Sequence, residues 1–437
     1  MSHRAASLAR RCRWLPLVAL AALAGCDDQP KLTSYPAGSA IQNVVLIVQE
    51  NKSFDSYFGR YCTAATGSNP SCTTGRGCCE AAPTMDPKGT SPSVLDDAMS
   101  SIFDPNHNQS CMIDEIHGGA MDRYTVGTPG CADPRNFALA QDVVAPYWAL
   151  ADQYALADRY FQPSAGASAQ NNMYFAGARY KFEDNSFKPN FVGSECAILT
   201  PNAITYSDTT IGALLTAQGL PWRVYAEGLD ATRAAQADGY CPDADPRCPA
   251  MAPLYPCTFD ASDIPFAYYV TNNDDPAHFS DLDKFASDLR SGRLPAFSYI
   301  KFLGFRSEHS GQMNAVSDGV TAANELIQSI LSSRYADRTL ILLTWDESGG
   351  FFDHVSPPPT STVDNVPYGA RVGMLAIGRF ARKGTISHQT LEHSSVVKFL
   401  EWNFLGGVTG QLGARDAQVH NLGSLLDPAE TGVTVPD

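Results

Sequence analysis

Hydrophobic positions along this chain follow two rhythms. Continuous apolar runs rich in Val, Ile and Leu, namely NVVLIV (43–48), TLILLTW (339–345) and RVGMLAIG (371–378), predict strands buried on both faces. PWRVYAE (221–227) and AFSYI (296–300) are weaker examples. Between them, helical periodicity predicts helices over 142–158, 210–218, 320–334 and 394–404. Strands alternating with helices predict an α/β fold, a three-layer αβα sandwich around a largely parallel sheet. In such sheets the working residues gather just beyond the carboxyl ends of the strands, where loops converge.

Two of these strands end in acids. NVVLIV runs into Gln49, Glu50 and Asn51, a carboxylate and an amide in tandem that make a pair of oxygen ligands. A helix cap would account for Asn51 or Ser53 but not for Glu50. TLILLTW runs into Asp346 and Glu347, followed by Gly349-Gly350, Asp353-His354 and three prolines. Adjacent acids at a buried strand end repel each other unless a cation lies between them. All four donors are oxygens, so one or more divalent ions of the hard type, Ca, Mg or Mn, are expected rather than Zn. Gly166-Ala167-Ser168-Ala169 is a small-residue loop presenting one hydroxyl, with Asn171 and Asn172 following as donors toward an anion. His107, His117, His309, His354, His388 and His393 are scattered along the chain, several beside acids and glycines, as general acid chemistry at a phosphate requires.

The amino terminus changes the picture of where the chain works. Arg4, Arg10, Arg11 and Arg13 precede an apolar stretch over 14–23, an export signal too short to span a bilayer. Leu23-Ala24-Gly25-Cys26 resembles the bacterial lipobox, so the expectation is an exported lipoprotein, acylated at Cys26 and held on a membrane facing the periplasm or cell exterior. Residues 1–25 are then a signal peptide, 26–40 a polar tether, and 41–437 a single domain. The formal charge is −15, and the signal carries four arginines and no acid, so its removal leaves −19. Such a surface repels nucleic acid. Ten further cysteines fall in two groups, 62–131 and 196–257, and predict up to five disulfides stapling loop insertions around 60–135 and 190–290.

Taken in chain order, a set of segments resembles the phosphoesterase family that contains bacterial phospholipases C and related acid phosphatases. They are QENKSFDSYFG (49–59), DPNHN (104–108) with GGAMDRY (118–124), GASAQNNMYFAG (166–177), LPAFSYI (294–300) with SEH (307–309), TWDESGGFFDHVSPPP (344–359), and YGARVGMLAIG (368–378) with SSVVKFLEW (394–402). The resemblance implies an alkaline-phosphatase-like fold and a metal bound by Glu50, Asn51, Asp346 and Glu347, with Ser168 as both nucleophile and metal contact. His107, His309 and His354 match positions where the family places active-site histidines. Asp353 is expected either to orient His354 or to cap the turn, and Asn171 to help neutralise the phosphate. Ser348, Ala167, Gln170, Asn172 and Ser310 depart from the family's usual residues, which touches substrate contacts rather than the nucleophile or ligands. Phospholipases C of this family often carry further carboxyl-terminal β-domains, and this chain ends soon after its last predicted helix. The expected substrate is therefore a phosphomonoester on a small molecule, with a phospholipid headgroup diester as the alternative. A catalytically retired surface-binding protein is the alternative of another class.

Overall fold

The computed structural model describes residues 38–197, 202–252, 254–270 and 275–436. The expected export signal, Cys26 and most of the tether lie outside them.

An eight-stranded sheet forms the centre. Its strands are β1 (Asn43–Gln49), β2 (Ala155–Ala157), β3 (Trp222–Ala226), β4 (Phe279–Ser280), β5 (Phe297–Lys301), β6 (Thr339–Trp345), β7 (Met374–Ile377) and β8 (Thr385–Ser387), in the spatial order β8-β2-β7-β6-β1-β5-β3-β4. Only β7 runs antiparallel to its neighbours in this sheet. Every residue of β1, β5 and β6 is buried, as their unbroken apolar runs demand. The principal helices are α1 (Phe54–Phe58), α2 (Ala145–Gln153), α3 (Ser168–Gly177), α4 (Ile211–Ala217), α5 (Val316–Leu331) and α6 (His393–Phe404).

The helices form two groups. α5 packs on α2, whereas α3, α4 and α6 pack on one another. Side-chain alternation puts the groups on opposite faces. Leu46 of β1 is in register with Tyr299 of β5, and Gln49 with Trp345 of β6. Leu46 and Gln49 are three apart, so these pairs point to opposite sides. Tyr299 reaches Asn172 of α3, and Trp345 meets the Tyr147 ring of α2 at 5.7 Å. The result is the three-layer αβα sandwich expected.

Two expectations need correction in detail. The helix expected over 142–158 stops at Gln153, because Ala155–Ala157 pairs with both β7 and β8 as β2. An Ala-Leu-Ala segment has no strand propensity of its own, and its partners supply the hydrogen bonds. The small-residue loop expected over 166–169 ends at Ala167, and Ser168 is already the first residue of α3. All ten cysteines after Cys26 are paired, as Cys62–Cys79, Cys72–Cys78, Cys111–Cys131, Cys196–Cys241 and Cys248–Cys257, within the two expected loop regions. No helix among the described residues is long and apolar enough to cross a membrane.

Candidate active site

The adjacent parallel strands β6, β1 and β5 deliver their carboxyl ends to one edge. Because Gln49 is in register with Trp345, Glu50-Asn51 and Asp346-Glu347 emerge side by side. The two turns are tied together by backbone bonds. Asp346 N–H donates to the Gln49 carbonyl at 3.0 Å, Lys52 N–H to the Glu347 carbonyl at 3.0 Å, and Asn51 N–H to Asp346 Oδ1 at 3.2 Å. Asn51 takes a positive φ of 61° to make this turn. Gly349, at φ +66°, passes so close that an added Cβ would lie 2.6 Å from both Cβ and O of Asn51. That position requires glycine on both counts.

Ser168 is the first residue of α3, whose cap, Ala167, contributes no side-chain hydrogen bond. Its hydroxyl donates to Asn51 Oδ1 at 3.4 Å and is 3 % exposed as a residue. In the first turn the Ala169 N–H donates to Asn185 Oδ1 at 3.0 Å, and the positive end of the helix still suits an approaching anion. One turn on, Asn172 Nδ2 donates to Asp346 Oδ2 at 3.4 Å, and Tyr299 donates its hydroxyl to Asn172 Oδ1 at 3.0 Å. Asn171, expected to face an anion, instead closes the preceding loop. Its Nδ2 donates to the carbonyls of Gly166 (2.7 Å) and Ala167 (3.1 Å), and its Oδ1 accepts from Ser164 N–H at 3.0 Å.

The electrostatics of the acids point to a cation. Asp346 and Glu347 are fully buried. Burial raises the Asp346 carboxyl, Lys301 opposes it and Glu50 reinforces it, leaving it at about 6. Burial, then the Asp346 charge, drives Glu347 well above the usual range. Glu347 Oε1 has no hydrogen-bond partner among the described residues, an expensive state for a buried carboxylate oxygen. Glu50 differs. Burial would raise it, but the neighbouring Lys301 ammonium and His309 outweigh that and hold it at about 2. An orphaned carboxylate oxygen and a set of hard oxygen donors fit a divalent ion at Asp346, Glu347, Asn51 and Ser168, with Glu50 beside them.

His107 and His309 flank this edge with ring centroids 5.6 Å apart. His107 Nε2 lies 3.4 Å from Asn51 Nδ2 and 3.8 Å from Glu347 Oε1. In both rings Nδ1 meets a backbone carbonyl, Pro105 at 2.8 Å and Ser310 at 2.6 Å. That assigns the Nδ1 proton and presents Nε2 as the reactive nitrogen. Asp104, His107 and His309 also cluster closely enough to hold an ion.

His354 is placed differently from the expectation. Its Nδ1 contacts both Asp55 oxygens at 2.9 and 2.8 Å, and its Nε2 meets Glu80 Oε2 at 3.0 Å. Both nitrogens are thus committed to carboxylates. Asp353 does not orient it; Asp55 does. Asp353 binds Arg371 Nε at 2.8 Å and caps its own turn by accepting from Val355 N–H at 2.9 Å. Arg371 also reaches Asp55 at 3.1 Å, so a guanidinium supplies the charge among Asp55, Asp353 and His354. Since Glu80 follows the disulfide-bonded Cys79, His354 pins that stapled loop to the loop after β6. His393, one of the scattered histidines, is buried and bonds the Asp346 carbonyl through Nε2 at 2.7 Å. His117 and His388 pair with Asp122 and Asp158.

Three residues of the site escaped the sequence reading. Lys301, at the end of AFSYIK, is a charge closing an apolar run, a signal of the same kind as the two acid pairs. Lys52 is fully buried; burial pushes its ammonium down to about 8 against the pull of Glu308. Tyr255 donates to Glu50 Oε2 at 3.4 Å and is legible only in three dimensions.

Residues 41–405 match the sequence model of the Phosphoesterase family. The chain is 26% identical to phospholipase C B of Mycobacterium tuberculosis over 450 residues, covering 89% of this chain and 78% of that protein. It is 26% identical to the hemolytic phospholipase C of Pseudomonas aeruginosa, covering 83% of this chain and 53% of that one. Among solved structures, a protein of the alkaline phosphatase superfamily from Vibrio parahaemolyticus aligns at 12% identity and a TM-score of 0.38, covering 92% of this chain and 77% of that one.

Proposed function

Because this chain belongs to the Phosphoesterase family, and is a phosphoester-hydrolysing enzyme, we propose that it works through Ser168 as nucleophile beside a divalent ion. The observation that carries this reading is the Ser168 hydroxyl at the start of α3, 3.4 Å from Asn51, at the same strand edge as the orphaned Glu347 oxygen. Asp346, Glu347, Asn51 and Ser168 would hold the ion, and Glu50 would offer Oε2, because Lys301 takes its Oε1 at 2.7 Å. A divalent ion there would neutralise charge on the phosphoryl oxygens and favour the ionised serine.

The remaining roles fall to the chain itself. Ser168 Oγ forms the new bond to phosphorus as the bond to the leaving alcohol breaks, and the serine proton passes to His107 Nε2. His309, protonated at Nε2, returns a proton to the departing alkoxide. Water then cleaves the phosphoseryl ester and regenerates Ser168. The start of α3 and the His107–His309 pair orient the phosphoryl group, which is most of what phosphoryl transfer asks of a protein.

The burial of Ser168, Asp346 and Glu347 supports a phosphomonoester, since one substituent on phosphorus needs only one exit to solvent. The names of the relatives favour the second reading, a phospholipid headgroup diester. Hydrolysis of p-nitrophenyl phosphate and p-nitrophenylphosphorylcholine, each with and without chelator, separates them. Release from the diester at a rate matching the monoester moves the assignment to the second. Ser168→Ala is expected to abolish both turnover and a phosphorylated intermediate trapped at acid pH; wild-type turnover in that variant overturns the nucleophile. Acylation at Cys26 is part of the same proposal, and Cys26→Ser should release the protein from membranes and end its labelling by radioactive palmitate.

A further inference from the structure

His309 sits in a turn that is anchored on both sides of it. Glu308, immediately before it, is fully buried, and three donors converge on its carboxylate: Gln49 Nε2 at 2.9 Å, Trp345 Nε1 at 2.9 Å and the Tyr147 hydroxyl. Gln49 and Trp345 are the last residues of β1 and β6, the strands that run on into Glu50-Asn51 and Asp346-Glu347. From another side, Lys52 Nζ donates to the Glu308 carbonyl at 2.6 Å and to Ser310 Oγ at 3.0 Å. Asn314 Nδ2 holds the His309 carbonyl at 3.1 Å. The backbone is bent to suit. Glu308 takes a positive φ of 71°, and α5 presses so close that a Cβ added to Gly319 would lie 2.8 Å from the Glu308 nitrogen. A left-handed residue with a side chain persists only where its surroundings over-determine it.

We propose that Glu308 is a positioning residue for His309, tying the turn that carries the proton donor to the strand ends that carry the candidate metal ligands. The inference rests on the reading of His309 as the group that returns a proton to the leaving alkoxide. Proton transfer demands a heavy-atom separation of about 2.6–3.2 Å as the bond breaks. A turn free to drift by about an ångström forfeits on the order of 100-fold in rate. Filling space does not by itself call for an acid here. Tyr57, Tyr147 and Trp345 pack against one another around the site, with ring centroids 6.3, 5.3 and 5.7 Å apart, and a carboxylate among aromatic rings is costly unless its oxygens are bonded. They are bonded, and by groups fixed in β1, β6 and α2. Glu308 points into this aromatic pocket and acts on the reaction through the place it gives His309 Nε2.

The test compares leaving groups. kcat/KM reports transfer of the phosphoryl group to Ser168, whichever later step limits turnover. 4-Nitrophenolate departs readily without a proton, whereas phenolate is far more basic and needs one, so losing a placed proton donor slows phenyl phosphate selectively. The matching pair of phosphorylcholine esters serves if the enzyme prefers diesters. His309→Ala is expected to lower kcat/KM by about 100-fold or more on phenyl phosphate and by under about tenfold on p-nitrophenyl phosphate. Glu308→Gln turns an amide N–H2 toward converging donors and is expected to repeat the pattern, with losses of about 10–100-fold against under about threefold. Tyr147→Phe, which removes one donor and keeps the ring, should show the same preference more weakly. Added to His309→Ala, Glu308→Gln should cause no further loss on phenyl phosphate. Equal losses on both substrates in Glu308→Gln, or none, beside a selective His309→Ala overturn the inference and leave the role of His309 standing. No selectivity in His309→Ala overturns the reading of His309 itself. If Glu308→Gln does not fold, Tyr147→Phe decides, and an effect equal on both substrates, or absent, overturns the inference.

Discussion

Replacing Gly349 with alanine probes whether the two metal-bearing turns must interlock. The cost has two parts. At φ +66°, an alanine carries about 1–2 kcal/mol of left-handed strain. The added methyl would also lie 2.6 Å from Cβ and O of Asn51, where contact begins near 3.4 Å, so something must yield by close to an ångström. The obstacle is backbone rather than a flexible side-chain tip, and relieving it adds about 1–3 kcal/mol. The expected loss of stability is therefore about 2–5 kcal/mol. Asn51 is also the group that contacts Ser168, so a shift of this size is expected to lower kcat on the order of 100-fold. Gly432 is the control. It sits at φ +79° with nothing within 4 Å of an added Cβ, so Gly432→Ala should carry only the strain and leave turnover unchanged. Urea unfolding and steady-state hydrolysis of p-nitrophenyl phosphate give both numbers. If Gly349→Ala matches Gly432→Ala in stability and the wild type in kcat, the interlocked turns do not position the nucleophile.

Glu115 is fully buried, and burial, then Asp114, raises its carboxyl to about 10; one oxygen lacks a partner among the described residues. A carboxyl raised on folding contributes stability that is complete below its unfolded value of 4.5 and is lost as pH climbs toward the folded one. Between pH 4.5 and 7 that loss is about 3 kcal/mol, so Glu115→Gln should gain on the wild type by a similar amount over that interval in urea titrations, and a pH-independent difference would refute the assignment. His354 is raised as well: burial lowers it, but Asp55 outweighs burial. Its contribution is complete below the unfolded value of 6.5 and disappears as pH rises through the folded one. His354→Gln should lose about 1–3 kcal/mol near pH 6, less at alkaline pH, with kcat reduced by under about tenfold. A loss of 100-fold or more in kcat at unchanged stability would restore His354 to the chemistry.

Much of this protein is written locally. The apolar runs at 43–48 and 339–345 read as buried strands, and the carboxylates straight after them, Glu50 with its neighbour Asn51 and the pair Asp346-Glu347, call for a cation where they are buried. That reasoning needs no neighbours, and the structure places the two pairs side by side because the strands are in register. What the chain order does not carry is which polar group meets which. Asn171 and Asn172 are adjacent and chemically identical, and only the helical phase of α3 turns one toward the loop and the other toward Asp346. His354 follows Asp353, yet its partner is Asp55, almost 300 residues away. β2 exists because β7 and β8 flank it, not because Ala-Leu-Ala prefers to be extended. Lys301 reads as the end of a strand until Glu50 and Asp263 are seen on either side of its ammonium. Hydrophobic burial follows the pattern of one segment at a time, so sequence alone determines it. A charge or an amide takes its meaning from the group a few ångströms away, and only the tertiary structure decides that group.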